Sequence, residues 1–478
     1  MMFADRLQIR GELELLADLH LGSGRSEERR SLAGGEEGGE ILCVVRDRTG
    51  RAVIPATSLK GALRAAAPSA GLEPAAIADL LGPARIAAAD SAKLARFWLE
   101  PAVRLGPDTS ERFAGLTTTD GRRSDGFVRT RLRLARDSAA AETGFLYAEE
   151  TVAAGTRFSF SAELHLGKPE LDPSHPDVRA LARLLRPLLS EEGLPLGAGA
   201  RFAEGRVRLA ATKLGAELQR LDPGTGMLVE EARPDIVEAL CAAAAPARAG
   251  AARRWHLTFR CEGPFLSIRE NRSAPPPGEP QIVPLERAGE PALWPSSLLG
   301  ALRARAGWLV RRERLRGKAP DPWFADREGE PTTRVDDRSF VCPGPMAVAK
   351  LSALERLFGV AGWRGELALE GLRFCGETNA RHVAQSVSID RLTGGAREGA
   401  LFAEETFLFP VFAAVLSWRP RGEGLVPGAR RDADAALLKL LLGDLQKEIL
   451  FLGHGAAKGF GWFRVEVSEE GSADADRP

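Results

Sequence analysis

Three short segments of this 478-residue sequence occur twice, in the same order, and this repetition constrains the fold more than any other feature. The pairs are IPATSLKGALR (54–64) with WPSSLLGALR (294–303), ETGFLYAEE (142–150) with REGALFAEE (397–405), and LGAGA (196–200) with LGHGA (452–456). The members of all three pairs are separated by nearly the same length of chain. Because self-similarity at a fixed spacing is the signature of repeated structural units, we expect two copies of one domain.

The boundary between the copies is predicted near residue 250. The segment ALCAAAAPARAGAA (239–252) consists almost entirely of small residues and carries Pro and Gly towards its end. This composition is typical of the end of a helix that is followed by a short connector. We therefore predict two domains, residues 1–249 and 250–478.

Each copy shows the pattern strand, helix, strand, strand, helix, strand. The segments 6–22 and 254–263 alternate polar and apolar residues, which predicts half-buried first strands. In copy two, TFLFPVFAAVLSW (406–418) is predicted as one strand and 432–452 as the last helix. This order is the order of a ferredoxin-like (RRM-like) fold, so the predicted class is α+β with two tandem domains.

The composition excludes several classes of protein. Lys plus Arg and Asp plus Glu both number 65, so a polyanion would have to be held by local basic patches. The five cysteines lie far apart without a CxxC pair, and the six histidines are dispersed, so no metal site is expected. No signal peptide and no apolar run of about 18 residues is present. We expect a cytoplasmic protein with no membrane partner.

A glycine-rich loop precedes the last strand of each copy, LGAGARFAEGRV (196–207) and LGHGAAKGFGWFRV (452–465). Glycines allow successive backbone amides to point at a phosphate, and Arg201 or Lys458 adds a positive charge. A simple turn between helix and strand is the alternative interpretation. Neither loop has the GxxxxGK[ST] pattern of nucleotide hydrolases.

The repeated SLxGALR segments predict a second anion site in each copy. Ser58 and Ser297 stand where a helix begins, followed by Lys60 and Arg64 in copy one and by Arg303 in copy two. A helix N-terminus with nearby basic side chains attracts phosphates. The alternative is a capped amphipathic helix with Ser as its N-cap. His20 lies beside a glycine in the same region and is a further candidate contact or a satisfied loop histidine.

An acidic loop, GGEEGGE (34–40), follows the first strand of copy one. Carboxylates there could hold a divalent ion beside a phosphodiester. A solvated loop of Gly and Glu is the alternative.

The motifs together resemble the RAMP superfamily, the RNA-binding proteins of CRISPR systems. The resemblance rests on IPATSLKGALR (54–64), LFGVAGWRGELALEGLRF (357–374), VSIDRLTGGAREGALFAEE (387–405) and LGHGAAKGFGWFRV (452–465). They are similar to the backbone subunit of type III effector complexes, which usually carries one such domain. Two copies in one chain resemble the fused subunit of the D subtype.

This resemblance implies a subunit that binds guide crRNA, recognises complementary target RNA and joins other type III effector subunits. Thumb hairpins inserted in the two domains would lie at 106–129 and 376–386. The family's guide contacts carry over to these residues: Ser58, Lys60, Arg64, Arg201, Ser297, Arg303, Arg391 and Lys458, with Arg136 as the copy-one counterpart of Arg391.

The resemblance also raises the question of cleavage. Cutting members carry an Asp in the first loop, where this chain has Ile41 and Pro280. Glu40 and Asp47 are the nearby acids in copy one, and Glu279 and Glu286 those in copy two. We expect a metal-dependent endoribonuclease, with Mg²⁺ as a candidate ion and no structurally bound cofactor, in at most one copy, with Glu40 or Asp47 as the catalytic group.

Two other functions fit the sequence. A stand-alone RAMP endoribonuclease that processes guide RNA would also contain two ferredoxin-like domains, although it would not be expected to duplicate both the SLxGALR and the LFxEE landmarks. A metabolic α+β protein whose repeats bind small anions is the third alternative. Co-purified RNA of uniform length would distinguish the first function from the third.

Overall fold

The computed structural model divides the chain into two compact units, Met1–Gly250 and Ala251–Pro478, called unit one and unit two. The described residues are 5–28, 40–83, 94–106, 126–134, 141–166, 171–197, 199, 204–222, 224–242, 253–271, 279–287, 289–324, 351–360, 363–376, 380–420 and 426–470. Both units mix helices and strands, which confirms the α+β prediction.

Unit one contains thirteen described strands and four described α-helices. The strands are β1 (Asp5–Leu15), β2 (Gly22–Glu28), β3 (Glu40–Val44), β4 (Val53–Ile54), β5 (Phe97–Leu99), β6 (Ala102–Val103), β7 (Gly126–Leu134), β8 (Ala141–Val152), β9 (Arg157–Leu166), β10 (Leu194–Pro195), β11 (Arg206–Leu209), β12 (Gly215–Leu221) and β13 (Leu228–Ala232). The helices are α1 (Ala56–Ala66), α2 (Pro74–Leu81), α3 (Pro176–Leu189) and α4 (Pro234–Ala242).

The main sheet of unit one is antiparallel and is centred on β1. β9 pairs with one edge of β1 and continues to β5, while β11 and β12 share the other edge and lead to β10 and β13. Alternate residues of β9, among them Phe158, Phe160 and Leu164, are buried, as the period of two in a strand requires. They join Leu181 and Leu185 of α3 in one hydrophobic core.

A second sheet of unit one has the order β2-β3-β8-β7. β3 runs parallel to β8, with Ile41 beside Ala148 and Leu42 beside Glu149. β7 and β8 pair along their length as an antiparallel hairpin.

Unit two contains twelve described strands and three described α-helices. The strands are β14 (Arg253–Cys261), β15 (Pro264–Phe265), β16 (Ile268–Asn271), β17 (Ile282–Pro284), β18 (Glu286–Arg287), β19 (Glu290–Pro291), β20 (Leu367–Phe374), β21 (Arg381–Ile389), β22 (Ala396–Leu408), β23 (Val411–Trp418), β24 (Leu450–Phe451) and β25 (Trp462–Glu469). The helices are α5 (Pro295–Leu315), α6 (Ala353–Phe358) and α7 (Gly428–Leu445).

The two sheets of unit two correspond to those of unit one. The main sheet has the antiparallel order β20-β23-β14-β25-β24, and α7 packs against β25, α5 and α6. In the second sheet, β17 runs parallel to β22, which forms a long hairpin with β21. The buried rings of Phe265, Phe412 and Phe463 pack edge to face or tilted in the core.

Several local expectations differ from the structure. The helices of the repeated segments begin at Ala56 and Pro295, so Ser58 and Ser297 lie in the first turn and are not the N-caps. The paired hairpins are formed by residues 126–134 with 141–152 and by 381–408, and they overlap the intervals predicted for the thumbs only in part; residues 107–125 lie outside the described residues. Among the described residues, no helix has the length and apolar character needed to cross a bilayer.

Candidate RNA-binding surface

The glycine-rich loops are shaped by close backbone contacts that recur in both units. Gly197 and Gly453 both have a left-handed φ, of 81° and 86°. A Cβ atom at these positions would lie 2.6 Å from the carbonyl oxygen of His20 and 2.5 Å from that of Leu266. Only glycine therefore fits, and each loop is held against the segment that follows the first strand of its unit.

A second glycine closes each loop. Gly205 and Gly461 have φ values of 60° and 68°, and an added Cβ would lie 1.9 Å from the carbonyl of Leu196 or Leu452. The amide of Leu452 donates a hydrogen bond to Gly461 O at 2.9 Å. The recurrence shows that the glycines define one loop geometry, in addition to any role towards a phosphate.

His20 connects the glycine-rich loop of unit one to its hairpin. Its Nδ1 lies 2.7 Å from the carbonyl oxygen of Glu150 in β8. Because a carbonyl can only accept, Nδ1 carries the proton and donates it. The ring is partly exposed, and the remaining nitrogen Nε2 lies beside Gly22.

Lys458, the basic residue of the unit-two loop, forms an ion pair with a buried carboxylate. Its Nζ donates to both oxygens of Glu404 at 2.9 and 2.8 Å, and the Glu404 side chain is fully buried. The same ammonium lies 4.6 Å from the ring centroid of Phe402. Since the Lys458 side chain is itself partly exposed, a phosphate at the loop would share this cation with Glu404.

The outer surface of the same loop carries a histidine and two aromatic rings. His454 is exposed, and the rings of Phe451 and Trp462 meet edge to face at 5.5 Å while both remain partly exposed. Partly exposed aromatic rings beside a cation are typical of surfaces on which bases stack.

The first turns of α1 and α5 present small and polar residues to solvent. Thr57, Gly61, Ser297 and Gly300 are exposed, and no atom lies within 4 Å of a Cβ added at either glycine. An exposed glycine lowers helix stability, but it permits the close approach of another backbone. Lys60 lies on the same turn, where burial and then the charge of Arg64 lower its pKa.

Arg64 and Arg303 make equivalent contacts in the two units. Nη2 of Arg64 donates to Leu81 O at 2.6 Å, at the end of α2. Nη1 of Arg303 donates to Gly359 O at 2.7 Å, just after the end of α6. Both guanidinium groups thus satisfy carbonyls at a helix C-terminus, where a cation is favoured. The contact with RNA predicted for them would be additional to this role.

Arg391 lies at the tip of the β21–β22 hairpin and is exposed. The tip is fixed by Asp390, whose Oδ1 accepts hydrogen bonds from the amides of Leu392 and Thr393, both at 2.9 Å. These two bonds are the main cause that lowers the pKa of Asp390. Leu392 beside Arg391 is 95% exposed.

The two faces of this hairpin differ. Ala384 and Phe402 pack inwards on Leu266, Ile282 and Phe460. The outward face carries Val383, Val387, Ile389 and Leu401, each between 44% and 63% exposed. In unit one, the strand register places Val128, Leu132, Leu134 and Leu146 at the corresponding positions. Apolar residues thus recur at the same register positions in both hairpins.

Glu40 is the first residue of β3, and its side chain lies outside the described residues. Strand pairing identifies the residue of unit two that is equivalent to Glu40. Ile41 pairs with Ala148, and Gln281 donates its amide to the carbonyl of Ala403 at 3.0 Å, in the equivalent place. Glu40 therefore corresponds to Pro280, one residue away from the alignment by sequence.

Asp47 forms a tight turn. Its Oδ1 accepts hydrogen bonds from Thr49 N, Thr49 Oγ1 and Arg51 N at 2.7 to 2.9 Å, and Oδ2 accepts from Arg51 Nε at 3.0 Å. The hydroxyl of Thr49 is the largest of the causes that lower its pKa to about 2. A carboxylate occupied in this way is poorly suited to accept a proton.

In unit two, the candidate acid Glu286 also has a basic partner. Glu286 pairs with Nη2 of Arg381, and Nη1 of Arg381 lies 3.2 Å from Glu405. Among the described residues, no three His, Cys, Asp or Glu side chains are grouped so that they could hold a metal ion. Arg136 and Arg201 lie outside the described residues.

Sequence reasoning missed the buried acid that binds Lys458 and the apolar outward row of the unit-two hairpin. A signal for the first was present, because the AEE ending recurs in both copies and places Glu149 and Glu404 at one register position. The alternation in RHVAQSVSI, which forms β21, was the signal for the second.

Comparison with known proteins identifies one family. The sequence model of the RAMP superfamily matches two tandem regions of the chain, residues 12–208 and 225–464. Together these regions cover most of the sequence. No curated protein matches the chain.

Proposed function

The chain belongs to the RAMP superfamily, which indicates a CRISPR-associated RNA-binding function, and from this premise we propose that it is a crRNA-binding backbone subunit of a type III effector complex. In this proposal both domains bind one guide, and base pairing between the guide and its target reads the sequence. The two domains in one chain support the fused, D-subtype form. Its compartment would be the cytoplasm.

The observation that carries the proposal is the recurrence of one complete arrangement. Each unit has a helix beginning with small polar residues, a glycine-rich loop pressed against the first connection, and a hairpin with apolar residues at the same register positions. A repeated surface suits a repeated ligand such as a polynucleotide backbone. A small-anion protein would not need the two hairpins.

The strand order supports the finer fold assignment. Counting only the strands of the βαββαβ pattern, each main sheet runs second, third, first, fourth: β5-β9-β1-β11 in unit one and β20-β23-β14-β25 in unit two. This is the order of a ferredoxin-like sheet, so we infer that each unit is a ferredoxin-like RAMP domain with a thumb hairpin.

The proposed grip combines polar and apolar contacts. The turn around Ser58 and Lys60, its counterpart at Ser297, and the loop at Lys458 would contact phosphates, while Arg391 and the outward row of the hairpin would contact bases. Because the protein has no net charge, local hydrogen-bond donors and basic side chains have to provide the contacts with phosphates. Such contacts position the RNA without reading its sequence.

Cleavage of target RNA is proposed for unit one at most. Glu40 stands where unit two has Pro280, which can neither accept a proton nor bind a metal. The described residues provide no ligand group for Mg²⁺, so we derive no step through a metal ion.

The test is purification of the chain from cells that express a CRISPR array. We expect co-purified RNA of uniform length, released by high salt because phosphate contacts dominate. A stand-alone processing enzyme would cut added precursor RNA to guide length, whereas a backbone subunit would bind the precursor without cutting it. Protein free of nucleic acid at low salt would contradict the proposal.

A further inference from the structure

Helix α5 is ten residues longer than its counterpart α1, with 21 residues against 11. After Ala66, unit one continues with the uncharged turn APSA, whereas the segment 305–318 of unit two holds Arg305, Arg311, Arg312, Arg314, Arg316 and Lys318. Glu313 is its only acid. The extension is therefore strongly basic in a protein with no net charge.

Part of this charge is neutralised by one buried carboxylate of α7. Asp444, whose side chain is 5% exposed, accepts a hydrogen bond from Nε of Arg305 at 2.6 Å and lies 3.6 Å from Nη1 of Arg312. Both arginines are thus fixed in position by the helix beneath them.

The two fixed arginines hold an exposed tryptophan. Their guanidinium carbons lie 4.6 and 5.0 Å from the ring centroid of Trp308, which nevertheless remains 42% exposed. Trp308, Arg305, Arg312 and Asp444 are called the Trp308 platform below. A large aromatic ring that is held rigidly and left in contact with solvent offers a stacking surface at low entropic cost.

The platform lies on a continuous exposed stripe. Ser297, Gly300, Ala304, Trp308, Arg311 and Leu315 are all exposed and follow one another at intervals of three or four residues, which places them on one face of α5. Trp308 is about 16 Å along the helix from Ser297 at 1.5 Å per residue. The stripe thus runs from the proposed phosphate site at the helix N-terminus to the basic end.

Stabilisation of the helix explains the basic residues of this segment but not its exposed tryptophan. Arginines near a helix C-terminus are favoured by the helix dipole, which explains the charge. It does not explain an exposed tryptophan between two braced arginines. A cation-rich surface that includes an aromatic ring is the combination that binds single-stranded nucleic acid.

We propose that the C-terminal half of α5 is a second RNA-contact surface, on which a base of single-stranded RNA stacks on the Trp308 platform while adjacent phosphates contact Arg311, Arg316 and Lys318. The inference rests on the proposed RNA-binding function and adds to it. It also makes the two copies unequal, because the shorter α1, the counterpart of α5 among the described helices of unit one, lacks this surface.

The experiment measures fluorescence anisotropy of a labelled single-stranded RNA of about 10 nucleotides, titrated with the full chain at several salt concentrations. The charge variant is Arg311→Glu/Arg316→Glu/Lys318→Glu. Its control, Arg179→Glu/Arg183→Glu/Lys439→Glu, makes the same change in net charge at exposed positions of α3 and α7. Circular dichroism verifies that each variant is folded.

We expect the charge variant to lower the slope of log affinity against log salt by about 2, since each phosphate contact with a single strand contributes about 0.7. Trp308→Ala should weaken binding about tenfold, and Trp308→Phe less, because a ring remains for stacking. The control triple should keep the slope of the unchanged protein.

The outcomes separate the two proposals. Absence of RNA binding by the unchanged protein would overturn the proposed function. RNA binding that is lost in Arg391→Glu but kept in the charge and Trp308 variants would overturn the second surface alone. Binding of polyglutamate that depends on Trp308 as strongly as RNA binding does would show a site for an acidic protein chain, and would also overturn it.

Discussion

Arg356 and Asp434 form a fully buried ion pair in unit two. The guanidinium donates to both carboxylate oxygens at 2.6 to 3.0 Å and also bonds the carbonyl of Leu351. Burial raises the pKa of Asp434 to about 6, although Arg356 and Arg431 lower it. The pair joins α6 to α7, the layer behind the main sheet.

Removal of one partner should be costly. We expect Arg356→Leu to lower the free energy of unfolding by about 3–5 kcal/mol, because the buried charge of Asp434 would keep only Arg431, 3.7 Å away, as a partner. The folded-state pKa of Asp434 is already raised and would rise further, so protonation relieves the loss: the effect should be larger at pH 8 than at pH 5. Urea unfolding at both values measures this.

Two comparisons test the explanation. The double variant Arg356→Leu/Asp434→Leu should recover part of the loss, since the buried carboxylate that lost its main partner is also removed. Glu469→Gln, which removes an exposed partner of Arg253, should change stability by less than about 1 kcal/mol. A loss in Arg356→Leu of equal size at both pH values would contradict the role assigned to the charge.

The substitution Gly300→Ala should raise the stability of unit two and weaken its binding of RNA. It is helical and exposed, with no atom near an added Cβ. Gly300→Ala should therefore stabilise unit two by about 0.5–1 kcal/mol. If RNA approaches this turn closely, the same methyl group should weaken RNA binding. Thermal unfolding and anisotropy measure the two effects, and Gly443→Ala, which also lies in a helix with open space around it, is the control.

At the level of elements, each SLxGALR helix is joined through its arginine to the end of the next helix. We expect Arg303→Ala to cost about 1.5–3 kcal/mol of stability, since a charged hydrogen-bond donor to two carbonyls is lost. The salt dependence of RNA binding should stay unchanged. Arg391→Ala should do the reverse, with unchanged stability and a slope smaller by about 0.7.

The outcome that would reverse these assignments is a reduced slope in Arg303→Ala. That result would place a phosphate at Arg303, as the resemblance to the RAMP family implies. Lys458→Ala provides a third pattern, because it both removes a candidate phosphate contact and leaves Glu404 buried without its ammonium. It should lower stability and slope together.

The elements that could be predicted are those set by local patterns. The first strand of unit two, with Trp255, Leu257 and Phe259 buried, follows directly from alternation in the sequence. The segment 406–418 was predicted as one strand, but β22 ends at Leu408 and β23 begins at Val411. Phe409 has a φ of 52° and Pro410 has no N–H to donate, so pairing is interrupted there and the chain changes sheets between Leu408 and Val411. This break depends on long-range pairing, which periodicity does not reveal.

The sequence predicted which segments form the candidate site but not the partners of their side chains. Repetition located the helix and the loop in each copy, whereas the hairpins were expected only from the family resemblance and at other bounds, 106–129 and 376–386. It could not show that Arg64 and Arg303 bond helix ends or that Lys458 pairs with Glu404, because those partners are distant in sequence. The last helix, predicted over 432–452, ends at Leu445, since the chain turns there to form β24.

For the molecule as a whole, the two units share an architecture while differing at the positions that matter for chemistry. Unit one has Glu40 where unit two has Pro280, and unit two has the long basic helix where unit one has a short one. In the proposed function both copies bind one RNA, so each copy is free to take on a separate task. The two copies should therefore respond differently to equivalent substitutions.

The cleavage reaction tests this inequality. In-line cleavage requires a group that activates the nucleophile beside the scissile phosphodiester, and a carboxylate can do so whereas the side chains of Ile41 and Pro280 cannot. A complex assembled on a defined guide, then supplied with complementary RNA and Mg²⁺, should cut opposite unit one only.

Glu40→Ala should reduce the rate at that position by at least about 100-fold with target binding intact. Asp47→Asn should retain cutting, because Asp47 is occupied within its turn. Undiminished cutting in Glu40→Ala would exclude Glu40, and cutting opposite unit two would show that a group other than the residue at position 280 performs the reaction.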